Sequence, residues 1–153
     1  MSNTQPNEGG IMLNYTCLRM IAEHLFLHLP MEICGVLRGT SQAGRIHIIE
    51  FIPILNTSSE PFHHFTLQPE EWIRQCLNPQ GLIGIVHSHP RTPPIPSSED
   101  LNQLPMFGQL IQTYFIASPA PDGVSIHMNA YRVDTSENPP SPILRQSALQ
   151  ITN

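Results

Sequence analysis

Leu82-Ile-Gly-Ile-Val-His87-Ser-His89-Pro-Arg-Thr-Pro-Pro-Ile-Pro-Ser97-Ser-Glu-Asp100 is the stretch on which both the fold and the chemistry turn. Leu82 to Val86 is an almost unbroken apolar run, as in a strand covered on both faces. It delivers His87 and His89 at alternate positions, so both imidazoles project from one face. Four prolines between His89 and Ser97 then limit the conformations to be frozen before the chain returns. Two imidazoles and a carboxylate suit Zn²⁺, and three protein ligands leave a fourth position for water. Asp100 is the third candidate ligand. Ser97 to Asp100 also has the form of a helix capping box, and the two roles are compatible because such a cap sets Asp100 on the first helical turn.

Outward from this stretch, the pattern predicts a helix over 15–29, where Leu18, Ile21, Ala22, Leu25, Phe26 and Leu29 recur at helical spacing before Pro30. Glu32 to Gly39 and Arg45 to Ile54 are expected to form an antiparallel hairpin. His63 to Leu67 is a candidate short strand. Pro69 to Asn78 reads as a helix with proline and acids in its first turn, burying Trp72, Ile73, Cys76 and Leu77. After the metal-site stretch come a short helix from Asp100 and strands over 111–117 and 124–133. Residues 1–10 read as a flexible leader and 134–153 as a tail, with Ile143 to Ile151 as a candidate docking helix, leaving 11–133 as the domain.

At 153 residues the chain can bury one core without staples. Seven basic residues, scattered through a chain of net charge −5, exclude a nucleic-acid surface, which needs clustered Lys and Arg. No apolar run is long enough to span a membrane, and the first ten residues have no secretory pattern. Cys17, Cys34 and Cys76 are odd in number and contain no Cys-x-x-Cys, which opposes both a disulfide framework and a thiolate zinc cluster. A cytoplasmic location is the expectation.

Other histidines carry less. His24 and His28 lie four apart, but His-Leu-Phe-Leu-His lacks the internal glutamate of a His-Glu-x-x-His site, so packing or a solvated edge is the better reading. His63 and His64 point to opposite faces of a strand and cannot chelate together; neither is assigned to the site. The deaminase pattern His-x-Glu followed by Pro-Cys-x-x-Cys is absent.

Glu32, followed by His87-x-His89, seven residues and Ser97-x-x-Asp100, resembles the signature of the JAMM/MPN-domain metallopeptidases. The context Pro30-Met-Glu32-Ile-Cys-Gly-Val-Leu-Arg-Gly39 is similar to that of the short prokaryotic members. The resemblance implies an α/β single domain with a mixed β-sheet flanked by helices, related in architecture to cytidine deaminases. It implies one zinc ion per chain on His87, His89 and Asp100, with Glu32 as general base to a zinc-bound water and Ser97 as oxyanion donor. Spacing alone would leave Glu32 a solvated residue at the start of a strand.

The activity so implied is hydrolysis of an amide bond after the C-terminal glycine of a ubiquitin-like or sulfur-carrier protein ending in Gly-Gly. The substrate tail is expected to bind by strand addition at an exposed sheet edge or along Asn56 to Thr66. Two alternatives stand beside it: a non-catalytic MPN-type interaction scaffold, and a phage-tail or cell-wall-related peptidase using the same site.

Overall fold

The computed structural model describes residues 10–135 and 142–153, so the expected leader falls almost wholly outside the described residues. In chain order the elements are β1 (Ile11–Asn14), α1 (Tyr15–His28), β2 (Cys34–Gln42), β3 (Arg45–Ile54), α2 (Pro69–Cys76), β4 (Leu82–Ser88), α3 (Ser98–Gln103), two 3₁₀ turns (Leu104–Met106 and Gly108–Leu110), β5 (Thr113–Pro119), β6 (Ile126–Asp134), β7 (Ile143–Ser147) and β8 (Leu149–Thr152). Among the described residues no helix is long and apolar enough to cross a membrane.

The strands make one mixed sheet in the order β7-β6-β5-β4-β2-β3-β1-β8, a single α/β domain with helices on its faces. β4 lies near the middle, antiparallel to β2 and parallel to β5, and every one of its residues is buried. The β2–β3 hairpin closes through Ala43 and Gly44, with φ of 50° and 78°. A two-residue loop with both φ positive matches the twist of the strands it joins.

One core cluster packs Cys17, Ile21 and Leu25 of α1 against Ile33, Leu37, Ile48, Phe51 and Val86 on one face of the sheet. The other cluster sets Cys34, Val36, Ile85, Tyr114 and Ile116 against Phe65, Leu104 and Phe107. The metal-site stretch opens onto this second face.

Three expectations are corrected. Of the expected tail 134–153, residues 136–141 lie outside the described residues, but Ile143 to Thr152 is no docking helix, because it forms two strands of the same sheet, which therefore runs past residue 133. The apolar spacing of this segment suits a helix or a strand equally; the unpaired backbone of β6 and β1 decides the matter, since β7 pairs with β6 and β8 with β1. α2 does not bury the expected face: Ile73 and Leu77 are exposed. At eight residues it is anchored through Trp72, whose ring meets Phe107 edge-on at 5.6 Å. His63 to Leu67 makes no strand, only the single bridge Asn56–Leu67.

β1 went unread because four residues, IMLN, give too short a pattern. The outermost strands β7 and β8 are separated in the chain by Ala148 alone, so the sheet curls until its two ends meet, and the Ala148 carbonyl accepts the Ile11 N–H at 3.1 Å. β1 and β6, which would otherwise be the open edges, are both covered by this one segment.

Candidate metal centre

Strand pairing brings the site together. Cys34 lies opposite His87 in the antiparallel β2–β4 pair, so two residues back on one strand and two residues on along the other, Glu32 and His89, come to the same end and face of the sheet. The pairing persists past the regular ladder: the Ser88 N–H donates to the Ile33 carbonyl at 3.0 Å, and Ser88 Oγ accepts from the Ile33 N–H at 2.8 Å. Asp100 arrives from the opposite wall on the first turn of α3. The capping box is complete. Ser97 Oγ accepts from the Asp100 N–H at 3.1 Å, and Asp100 Oδ2 accepts from the Ser97 N–H at 2.9 Å.

His87 Nε2 and His89 Nε2 are 3.1 Å apart. Asp100 Oδ1 is 3.2 Å from the first and Oδ2 is 3.0 Å from the second. All three side chains are buried. His89 Nδ1 lies 2.9 Å from the Pro93 carbonyl, an acceptor only, so the proton of a neutral His89 sits on Nδ1 and Nε2 offers a lone pair. Two imidazole nitrogens and a carboxylate then converge on one point, a set of negative ends that repel one another unless a cation or a proton lies between them. This donor set fits Zn²⁺.

The surroundings reinforce the arrangement. Phe65 stacks on His87 with ring centres 4.4 Å apart and planes 20° from parallel, and Tyr114 meets it edge-on at 5.3 Å. The proline-rich loop is tied down by its carbonyls: Tyr131 Oη donates to Pro94 at 2.9 Å and Ser118 Oγ to Thr92 at 2.7 Å.

Charge is distributed unevenly. Glu32 is 6% exposed, and its pKa is pushed up to about 7, first by desolvation, with Asp100 and Glu99 adding to the rise and His89 opposing it. Asp100 goes the other way: burial would raise its pKa, but hydrogen bonds from His87 and His89 hold it well below the usual carboxylate range. Burial lowers the His87 pKa, and Asp100 offsets this only in part. The Cys34 thiol, pushed up to about 12 by burial and then by Glu32, is inert.

A cleft of about 540 Å³ lies over the cluster, with Glu32, His63, His89, Arg91, Ser97 and Glu99 among its walls. The structure thus gathers all five residues singled out from the sequence. Sequence reading missed two neighbours. His63 lines the cleft, contrary to expectation, because the segment carrying it is a loop without strand alternation. His64 bridges Glu99 at 3.1 Å and Glu60 at 3.3 Å, tying that loop to α3. No spacing rule links His64 to a residue so far along the chain. His24 and His28 are half-buried, their rings 4.2 Å apart, and they stand outside the cluster.

Residues 16–130 match the family of prokaryotic homologs of the JAB domain. Over 94 residues the chain is 34% identical to the desampylase of Haloferax volcanii, covering 59% of this chain and 64% of that one. Over 84 residues it is 36% identical to the tail tip assembly protein K of Escherichia phage N15, covering 54% of this chain and 32% of that one. The chain therefore spans less than two thirds of either relative. Among solved structures, protein DSY2949 of Desulfitobacterium hafniense has a similar fold (TM-score 0.71, 22% identity, 93% and 92% of the two chains). So does the JAB1/MPN domain protein AF2198 of Archaeoglobus fulgidus (TM-score 0.53, 21% identity, 93% and 99%).

Proposed function

Because the chain belongs to the family of prokaryotic homologs of the JAB domain, we propose that it is a zinc-dependent peptidase acting after the C-terminal glycine of a ubiquitin-like or sulfur-carrier protein. The observation that carries this reading is the convergence of three buried donor atoms, within 4.8 Å of one another, on a cleft that also holds Glu32 and Ser97. His87, His89 and Asp100 would hold the ion. A zinc ion there would supply Lewis-acid polarisation of the scissile carbonyl and acidify a water.

Every other task falls to the protein. Glu32 takes the proton of the attacking water and returns it to the departing amine, a shuttle suited to a carboxylate whose pKa is pushed up to about 7. Ser97 uses its oxygen lone pair on the Asp100 N–H, which leaves its hydroxyl proton for the developing oxyanion, worth about 3 kcal/mol in such sites. The Pro93 carbonyl keeps His89 in the tautomer that presents Nε2.

The ubiquitin-like substrate class is drawn from the resemblance to a desampylase, and a cytoplasmic setting goes with it. The similarity to a phage tail tip protein favours one second reading, a peptidase of the same chemistry acting in tail assembly or on cell-wall peptides. An interaction scaffold has no need of the donor set, and we set it aside.

Purified protein is expected to hold about one zinc per chain, measured by elemental analysis, and to release X from a Gly-Gly-X carrier fusion, followed by mass spectrometry. Glu32→Gln keeps the zinc and abolishes turnover. Unchanged turnover in that variant, or absence of zinc, rules the reading out.

A further inference from the structure

The Glu32 carboxylate accepts no hydrogen bond from any of the described residues, so its place beside His87, His89 and Asp100 is set through its backbone. Both backbone groups are held by one segment. The Glu32 N–H donates to the Pro61 carbonyl at 2.7 Å, and the Glu32 carbonyl accepts from Asn56 Nδ2 at 3.0 Å. Asn56 is the hub of this segment. Its Nδ2 also donates to the His64 carbonyl at 2.9 Å, and its Oδ1 accepts from the N–H groups of Ser58 and Thr66, each at 3.0 Å. A carboxamide offers two donor hydrogens and two acceptor lone pairs, and all four are engaged here. Between His64 and Thr66 sits Phe65, whose ring stacks on His87 and whose carbonyl accepts from Gln103 Nε2 of α3 at 3.0 Å.

We propose that Asn56 is a positioning residue for the hydrolysis: its one carboxamide fixes both the backbone of Glu32 and the turn that packs Phe65 on His87, and so fixes the general base relative to a metal ligand. The inference rests on the hydrolase reading and adds a residue to it. An aspartate at this position would keep acceptors for Ser58 and Thr66 but would turn a charged oxygen on the Glu32 and His64 carbonyls. An alanine would take the partner away from all four backbone groups. Either change frees Glu32 on its carbonyl side, although the next residue, Ile33, stays anchored to Ser88. A displacement of about 1 Å at a reacting group is enough to cost about a hundredfold in rate. The four polar positions of Asn56 all point at backbone, which leaves none for the substrate, so substrate binding is spared.

The test uses the zinc-loaded protein and the Gly-Gly-X carrier fusion, with kcat expressed per bound zinc. Asn56→Asp and Asn56→Ala are each expected to lower kcat by about tenfold to a hundredfold, with KM changed by less than about twofold. A residue that only supports the fold would instead lower the melting temperature and leave the kcat of the folded protein unchanged. A readout independent of turnover is amide hydrogen exchange in the zinc-free protein. The Glu32 amide should exchange at least about tenfold faster in both variants. Val86 of β4, paired on both sides, should keep its protection and so report an intact sheet. A kcat within about twofold of wild type in either variant, or an unchanged exchange rate at Glu32, overturns the role of Asn56 while the hydrolase reading stands. No cleavage by the wild-type protein overturns both.

Discussion

Glu32 carries a cost that the fold bears for the sake of the site. Its folded pKa of about 7 lies above the ordinary 4.5, so the folded chain binds this proton more tightly than the unfolded one. The stability tied to it is present below pH 4.5 and is lost as pH rises through 7. In metal-free protein, Glu32→Gln is expected to be more stable than wild type by about 2 to 3 kcal/mol at pH 8 and to lose that advantage near pH 5. Chemical denaturation at the two pH values checks it. Ser97→Ala removes a cap acceptor and the proposed oxyanion donor. It should cost about 1 kcal/mol of stability and about a hundredfold in kcat, whereas Ser97→Thr restores the cap and much of the rate. At this scale the site was legible where chemistry follows periodicity. His87 and His89 share a face because strands alternate, and Asp100 is announced by its own cap. Phe65 stacked on His87, and His63 in the cleft, left no such mark, because the segment that brings them has no regular period.

β4 shows why the elements that hold the site tolerate little change. Gly84 sits against β5, and a Cβ there would run into Oγ1 and the carbonyl of Thr113. Gly84→Ala should therefore part β4 from β5 three residues before His87, at a cost of about 1 to 3 kcal/mol and with weaker zinc retention, measured by thermal melts and by competition with a chelator. The apolar run of β4 and the tight hairpin of β2 and β3 could be read from the chain because local pattern and tertiary demand agree there. α2 could not. Its pattern promised a buried face, yet Ile73 and Leu77 remain exposed, since a helix of two turns is fixed by one aromatic anchor and the rest of its stripe finds nothing to cover it.

For the molecule as a whole, the misread segment is the one that completes the sheet. Ending the chain at Asp134 would uncover the backbone of β6 on one side and β1 on the other, and exposed strand edges associate. Such a protein is expected to elute as oligomers in size-exclusion chromatography and to lose hydrogen-exchange protection at Ile11 to Leu13. The full chain should remain protected at the same amides. No local rule could have foreseen this, because Ile143 to Thr152 takes its conformation from partners at both ends of the sheet. The same feature sets an order of events in time. Leu149 aligns with Ile11 across nearly the whole length of the chain, so on a ribosome β1 must wait unpaired on that side until the last strand is made. By then Glu32, His87, His89 and Asp100 have long been synthesised. A nascent chain can thus gather its candidate metal ligands before its sheet is able to close.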